Sequence, residues 1–337
     1  MNEFKIIDTN KFSEHLRSRG IRAETQEVLV TQFHGSEEEQ DFSLPANCGG
    51  FGRIHHFRRS QGNAWPANPL PLDPAAKALG LPPSDSLQVQ VFQNAICSWR
   101  CWYCFVDFEL LSANPKFASF KTAAELIDMY LADSMRANVI DLSGGQPDLV
   151  PEWGYWVYRE LSARGLLSRV YLWTDDNLSN DYLWRFLRPA QIQELAASPF
   201  YGRVGCFKGF DPESFSFNTK ASPELFAQQF ALMKRLIAAG FDVYGYVTLT
   251  SMSNVNIRQH VCDFVDRLQE VHPLFPLRTV PLHISAFTPT QGRLDYGAER
   301  AMKIQHEAVA IWMEELEARF SDAMRSRPIT ENQLDNR

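Results

Sequence analysis

From about residue 86 to about residue 325, short apolar runs alternate with longer stretches of helical periodicity. The apolar runs predict strands over 87–95, 138–143, 169–174, 203–208, 242–249 and 279–286. The stretches between them predict helices over 122–136, 152–164, 180–196, 222–239, 256–270 and 297–320. Ser222-Pro223-Glu224 is a clear helix start, with proline at the first helical position, and Gly240 is its stop. Strands that alternate with helices are parallel strands joined by crossovers. Six such units predict an α/β fold, a partial (β/α)6 TIM-like barrel over 86–325. An N-terminal extension covers 1–85, and a polar tail over 326–337 is expected to fray. The 337 residues suffice for one large domain of this kind plus the extension.

The extension has a different texture. KFSEHLRSR predicts a helix, and EVLVTQF is a short apolar piece. The acidic patch Glu37-Glu38-Glu39 is expected on a solvated surface. The Gly-, Pro- and Asn-rich stretch from Cys48 to Pro74 has too few periodic apolar positions for a regular element. It reads as a long irregular segment whose polar cluster is His55, His56, Phe57, Arg58 and Arg59. Two roles stay open for it: a lid facing a substrate, or a wrap against the core.

The formal net charge of −7 gives no support for a general nucleic-acid surface, which draws on Lys and Arg. No apolar run reaches the roughly 18 residues of a membrane span. The first residues are charged and lack an apolar signal core, which predicts a protein that is not secreted. Of the six cysteines, Cys48, Cys206 and Cys262 stand alone in sequence. That is no disulfide framework, and a reducing cytoplasm fits it.

The other three form Cys97-Ser98-Trp99-Arg100-Cys101-Trp102-Tyr103-Cys104, directly after the first predicted strand. Soft thiolates favour iron–sulfur clusters or zinc. Structural zinc takes four protein ligands, and no fourth Cys or His is near in sequence, although His55 or His56 could approach in space. Buried, unligated thiols are a further alternative.

The C-x3-C-x2-C spacing, with an aromatic residue directly before the last cysteine, resembles the signature of the radical S-adenosylmethionine (SAM) superfamily. Leu142-Ser143-Gly144-Gly145-Gln146-Pro147 at the second strand end resembles its GGEP motif, with Gln146 where the family has Glu. The turn at Thr174, Asp175 and Asp176 resembles the T-N-G turn of the activating-enzyme branch, with Asp175 in place of Asn. Lys208, Asp211, Pro212 and Glu213 match a D-x-K-x-x-D-P-E segment, with Cys206 in place of its first Asp. Val280-Pro281-Leu282-His283 resembles an L-P-x-H element. The likeness runs over about residues 87–290 and is to the pyruvate formate-lyase activating-enzyme-like branch.

The resemblance implies two cofactors, a [4Fe–4S] cluster and SAM. Cys97, Cys101 and Cys104 would hold three irons, and the fourth would take the amino and carboxylate groups of SAM. Backbone at Gly144, Gly145, Gln146 and Pro147 would hold the SAM amino group. Lys208 would meet its carboxylate, and Tyr103 and His283 its nucleoside. Thr174 and Asp175 would meet a ribose hydroxyl or the methionyl group. Thr248, Thr250 and Asn254 are either further contacts or structural strand residues. Trp99 and Trp102 are expected to shield the cluster, Arg100 to tune it, and Cys206 to pack in the core.

The implied reaction is reductive cleavage of SAM to a 5′-deoxyadenosyl radical that abstracts hydrogen from a small-molecule or peptide substrate. The electron would come from an external donor of flavodoxin or ferredoxin type. The alternatives are an activating enzyme acting on a glycine of a partner protein, and a non-catalytic electron carrier. The carrier would need four cysteine ligands and no SAM pocket.

Overall fold

The computed structural model describes residues 6–60 and 65–334. The last three residues of the predicted tail, 335–337, and residues 61–64 of the extension lie outside the described residues. The strands are β1 (Ile21–Arg22), β2 (Glu27–Thr31), β3 (Gly52–Arg58), β4 (Ser86–Phe92), β5 (Ala118–Thr122), β6 (Val139–Leu142), β7 (Tyr171–Asp176), β8 (Tyr201–Phe207), β9 (Val243–Val247) and β10 (Thr279–Pro281). The helices used below are α1 (Thr9–Gly20), α2 (Leu72–Leu79), α3 (Ala123–Ala132), α4 (Pro151–Ala163), α5 (Tyr182–Phe186), α6 (Pro189–Ala196), α7 (Pro212–Thr219), α8 (Phe226–Ala238), α9 (Ile257–Val271), α10 (Thr288–Gln291) and α11 (Tyr296–Arg319).

One sheet carries the order β10-β9-β8-β7-β6-β4-β3. The six strands β4 and β6 to β10 are parallel, as expected from the βα alternation. Its two faces are separate cores. Val89, Val91, Val139, Tyr171, Trp173, Val204, Tyr244, Tyr246 and Val280, from both ends of the strand order, meet in one buried cluster. A sheet whose outermost strands share an inner core is rolled into a half-barrel. Phe92, Ile140, Leu142, Leu172, Phe207, Val243 and Val247 face the other way, into the helical layer. Apolar residues on both faces explain why these strands read as continuous apolar runs.

The stretch expected to be irregular contains β3, which pairs antiparallel with β4 over seven positions, and α2. Its Arg-Ile-His-His-Phe-Arg pattern has no period of two, because Arg53 and His55 lie on the inner face beside Val91 and Val89. A second sheet, β1-β2-β5, was not expected; β2 is the apolar EVLVT piece. The helix expected over 180–196 is two, α5 and α6, separated at Leu187 and Arg188 by the restriction that Pro189 places on the residue before it. The strand expected over 279–286 ends at Pro281. Glu38, expected on the surface, is buried and lies 3.6 Å from Arg53.

Residues of the extension span the open seam between β3 and β10. Asp41 accepts hydrogen bonds from the Thr288 N–H at 2.9 Å and its hydroxyl at 2.7 Å. Trp65 Nε1 donates to the Pro281 carbonyl at 3.1 Å, and Asn68 Nδ2 to the Tyr246 hydroxyl at 3.2 Å. Leu70 and Ala75 then pack into the inner core.

Candidate active site

The cysteine loop leaves the C-terminal end of β4, and its backbone is tied on several sides. The Cys97 N–H donates to the Leu111 carbonyl and the Arg100 N–H to the Thr219 carbonyl, both at 3.0 Å. Trp99 meets Phe215 edge to face, and Trp102 Nε1 donates to Asn218 Oδ1 at 3.0 Å, so both indoles dock on α7. That helix begins at Asp211, whose carboxylate accepts from the Ser214 N–H at 2.7 Å; the Asp-Pro-Glu of the sequence motif is a helix cap. Arg100 donates to the carbonyls of Cys97 and Trp99. Arg293 reaches the carbonyls of Cys104 and Val106 at 2.8 and 2.9 Å.

Cys97 and Cys101 are buried and Cys104 is half-buried. Burial raises all three thiols, Cys104 to about 11, and charge on Cys101 adds to the rise at the other two. The cations bearing on them are Arg100, Arg293 and Lys208. Three soft donors on one loop inside a cationic shell fit an anionic cluster held through sulfur. Among the described residues no three His, Cys, Asp or Glu side chains are arranged around a single metal ion. A cluster takes each thiolate on a different iron and needs no common centre.

Gly144 and Gly145 have φ of 71° and 61°, in the left-handed region that favours glycine. A Cβ on Gly144 would stand 2.1 Å from Gln93 Oε1, and one on Gly145 2.1 Å from the Asn94 carbonyl oxygen. The turn therefore lies directly on the end of β4, beside the cysteine loop. The Gln146 side chain, wholly buried, has a different task from its neighbours' backbone. Its Oε1 accepts from the Ser98 N–H at 2.8 Å and the Ser98 hydroxyl at 3.0 Å. Its Nε2 donates to the Ser179 hydroxyl at 2.6 Å and to Asp148 Oδ2 at 3.2 Å. Gln146 is the joint between the cysteine loop and the loops after β6 and β7. Pro147 is buried at the start of the 3-10 turn that follows.

Lys208 follows β8. Among the described residues its backbone is bonded, to Gln229 and Asn218, while its ammonium has no hydrogen bond or ion pair. Burial works against its charge, but Cys206, Tyr103, Cys101 and Asp175 around it hold it cationic well above the usual lysine range. Tyr103 shares a 3.1 Å hydrogen bond with the Thr248 hydroxyl. Asp175 is on the inner face with Lys208. Thr174 is not: it is bonded to the Tyr201 hydroxyl at 2.8 Å, and its methyl faces Gly154 of α4 in the outer layer. His283 is likewise separate. Its ring lies 4.6 Å from Trp65 and 6.0 Å from His306 of α11, while its neighbour Leu282 packs toward Trp102. Thr250 and Asn254 are bonded to Asn218 and Glu307 respectively. His55, half-buried beside Arg53, is pushed down to about 3 by desolvation and by that cation, and stays neutral. Cys206 packs in the inner core.

The structure thus brings together Cys97, Cys101, Cys104, Tyr103, Gly144, Gly145, Asp175 and Lys208, and places Thr174 and His283 elsewhere. It adds residues that local motifs did not single out. Asn177 Nδ2 is 4.0 Å from Cys97 Sγ. Arg293 is almost two hundred positions downstream of the loop it grips. Asp141 and Arg53 lie on the inner wall; a lone Asp inside Val-Ile-Asp-Leu was the available signal.

The inner carboxyls predict a pH dependence. Burial pushes Glu38 up to about 7, despite Arg53. It pushes Asp175 to about 7 as well, against Lys208 and with Asp176. Each folded value is above the unfolded one, so between about pH 4 and 7 the folded chain holds protons that the unfolded chain has lost. His55 opposes this, since it stays neutral when folded and takes a proton when unfolded below about pH 6.5, but it offsets only one of the two carboxyls. Stability of the metal-free protein is therefore expected to fall, on balance, as pH rises through that window and to level off above it. Thermal melting across pH 5–8 measures this; a midpoint that rises with pH would contradict it.

A cavity of about 950 Å³ lies away from the cysteines, between α2, β10 and residues 325–332, and no cysteine lines it. Among the described residues no helix is long and apolar enough to cross a membrane.

No family model matches the sequence, and no curated protein is similar to it. Two crystal structures are among those to which the chain is similar. One is Streptococcus suis SuiB bound to S-adenosylmethionine, at 14% identity over 68% of this chain and 48% of that one, with a TM-score of 0.40. The other is Streptococcus suis SuiB, at 16% identity over 54% of this chain and 36% of that one, with a TM-score of 0.35. The chain thus matches less than half the length of either structure.

Proposed function

We propose that the protein is a radical SAM enzyme that acts on a small-molecule or peptide substrate. The observation that carries this is one arrangement at the strand ends. Three cysteines on a loop after β4 stand beside a half-exposed Gly144-Gly145 backbone and the unpaired ammonium of Lys208.

Cys97, Cys101 and Cys104 would hold a [4Fe–4S] cluster, and SAM would lie between them and Lys208. With SAM bound, such a cluster supplies the electron that yields methionine and a 5′-deoxyadenosyl radical. The chain's own residues bind, orient and enclose. Arg100, Arg293 and Lys208 balance the negative charge of the thiolates. The Gly144-Gly145 backbone, half-exposed and held in a left-handed turn, would offer its carbonyls to the ammonium of SAM. Lys208 offers its charge to a carboxylate. Trp99 and Trp102, seated on α7, keep water from one side of the loop.

The small-molecule reading is favoured over the activating-enzyme one by the seam. A protein loop carrying a target glycine needs an open mouth, whereas residues 38–42 and 65–71 tie β3 to β10 and the segment after it. The electron-carrier reading would need a fourth cysteine ligand, and the loop supplies three.

Anaerobic reconstitution with iron and sulfide, then dithionite and SAM, tests the function. Release of 5′-deoxyadenosine is the expected result. Reversible reduction with intact SAM would favour a carrier instead. In the same assay Lys208→Met is expected to weaken SAM binding by about 10- to 100-fold, the loss of one hydrogen bond to a charged group. Equilibrium binding to the unreduced protein reads this, and unchanged affinity would remove Lys208 from the site.

A further inference from the structure

The inner wall carries polar groups besides the glycine turn and Lys208 that are proposed to hold SAM. Arg53 of β3 pairs in register with Val91, Val91 with Asp141, and Asp141 with Trp173, so they form one row across the sheet. Asp175 is two residues beyond Trp173 on the same face of β7. Asp141 is 1% exposed. Its Oδ2 accepts from the Ser143 hydroxyl at 2.9 Å, and its Oδ1 has no partner among the described residues. The Asp175 carboxylate likewise receives no hydrogen bond from any described residue.

Once ionised, the inner carboxyls would outnumber the cations left to them. Arg53 is matched by Glu38, with which it forms a buried pair. Lys208 is the cation assigned above to SAM. Asp141 and Asp175, close enough to repel each other, are left without a cation of their own. The buried Asp141, with one oxygen unpartnered, and the half-buried Asp175 both lack donors, and a bound cation would supply donors and favour their ionised forms. The surface beneath them is aromatic, with Trp173 and Tyr246 in the inner core.

We propose that Asp141 and Asp175 bind a protonated amine of the substrate, over a floor of Trp173 and Tyr246. The substrate is then a small amine-bearing molecule of the amino acid, short peptide or amino sugar class. This rests on the SAM-cleaving reading for the identity of the ligand as substrate, but its test requires no turnover.

The probes are free amino acids, dipeptides and amino sugars, each paired with its N-acetyl derivative. They are titrated calorimetrically into the reconstituted full-length protein with SAM present. The expected result is at least one pair in which acetylation weakens binding by about tenfold or more. Asp141→Asn is expected to abolish that preference while SAM still binds. If no probe binds, or both members of every pair bind alike, the proposal is wrong. It is equally wrong if Asp141→Asn weakens SAM as much as the amine, since the carboxyl would then serve SAM itself. Should the variant fail to fold, the paired probes on the unaltered protein decide alone. Release of 5′-deoxyadenosine with no amine preference sinks the amine site and leaves the enzyme; amine preference with no SAM cleavage does the reverse.

Discussion

Replacing any one of Cys97, Cys101 or Cys104 with alanine is expected to abolish both the visible absorbance of the reconstituted protein and its release of 5′-deoxyadenosine. Each thiolate would hold a different iron, so the loss of one leaves two anchors for a group that needs three. The fold should survive, because the loop is fixed by other contacts. Leu111, Thr219, Asn218, Arg293 and Gln146 hold its backbone and side chains, and none of those bonds uses sulfur. Circular dichroism and melting should therefore resemble the parent's in metal-free form. Cys48 and Cys262 are the controls: both are remote from the loop's partners, and alanine at either should leave absorbance and cleavage intact. Iron content per chain separates the outcomes. A single variant that retains iron and cleavage would show that its sulfur is not a ligand. Stoichiometric zinc with no absorbance in the parent would return the loop to a zinc site.

Much of the fold could be read from residue order alone, because parallel strands buried on both faces leave continuous apolar runs. All six parallel strands of the main sheet were expected. What escaped prediction obeys no short-range pattern. β3 carries Arg53 and His55 inward, where a polar mouth replaces apolar core, so its alternation is lost. Short α7 starts inside the Asp211-Pro212-Glu213 motif, which was matched to a sequence pattern and not to a helix cap. Glu38 belongs to a run of three acids, and only its approach to Arg53 distinguishes it from its solvated neighbours.

The site divides in the same way. The cysteines, the glycine turn and Lys208 are local features with chemistry of their own. Thr174 and His283 were expected from resemblance to short motifs. Thr174 faces the outer layer, because one residue of register turns a side chain to the opposite side of a sheet, and His283 lies past the end of β10 beside Trp65 and His306. Asp141, Arg53 and Arg293 reach the site through tertiary packing, and no spacing rule could have gathered them.

Gln146, where the motif it resembles has Glu, is fitted to its neighbours, and it yields the second prediction. Gln146→Glu is expected to destabilise the protein by about 3 kcal/mol near pH 8, comparable to an uncompensated buried charge. The orientation of the amide follows from its partners. Ser98 offers a backbone N–H, so Oε1 must face it, and Asp148 offers only acceptors, so Nε2 must face Asp148. A glutamate can still accept from Ser98, but its second oxygen would then meet the Asp148 carboxylate. Asp148 is wholly enclosed; burial already pushes it up to about 6, and Asp176 adds repulsion. A further buried carboxylate there would itself stay protonated well above its unfolded value. Protonated, it could donate to Asp148 as the amide does. The folded variant would thus hold a proton that its unfolded chain releases, so its deficit should grow as pH rises above about 5 and nearly vanish below it. Gln146→Met, which removes the bonds without adding charge, should be destabilised to a similar degree at pH 5 and pH 8. Melting curves of both variants at the two pH values provide the comparison. If the glutamate variant were as stable as the parent at pH 8, the joint between the cysteine loop and Asp148 would not be what holds the loop in place.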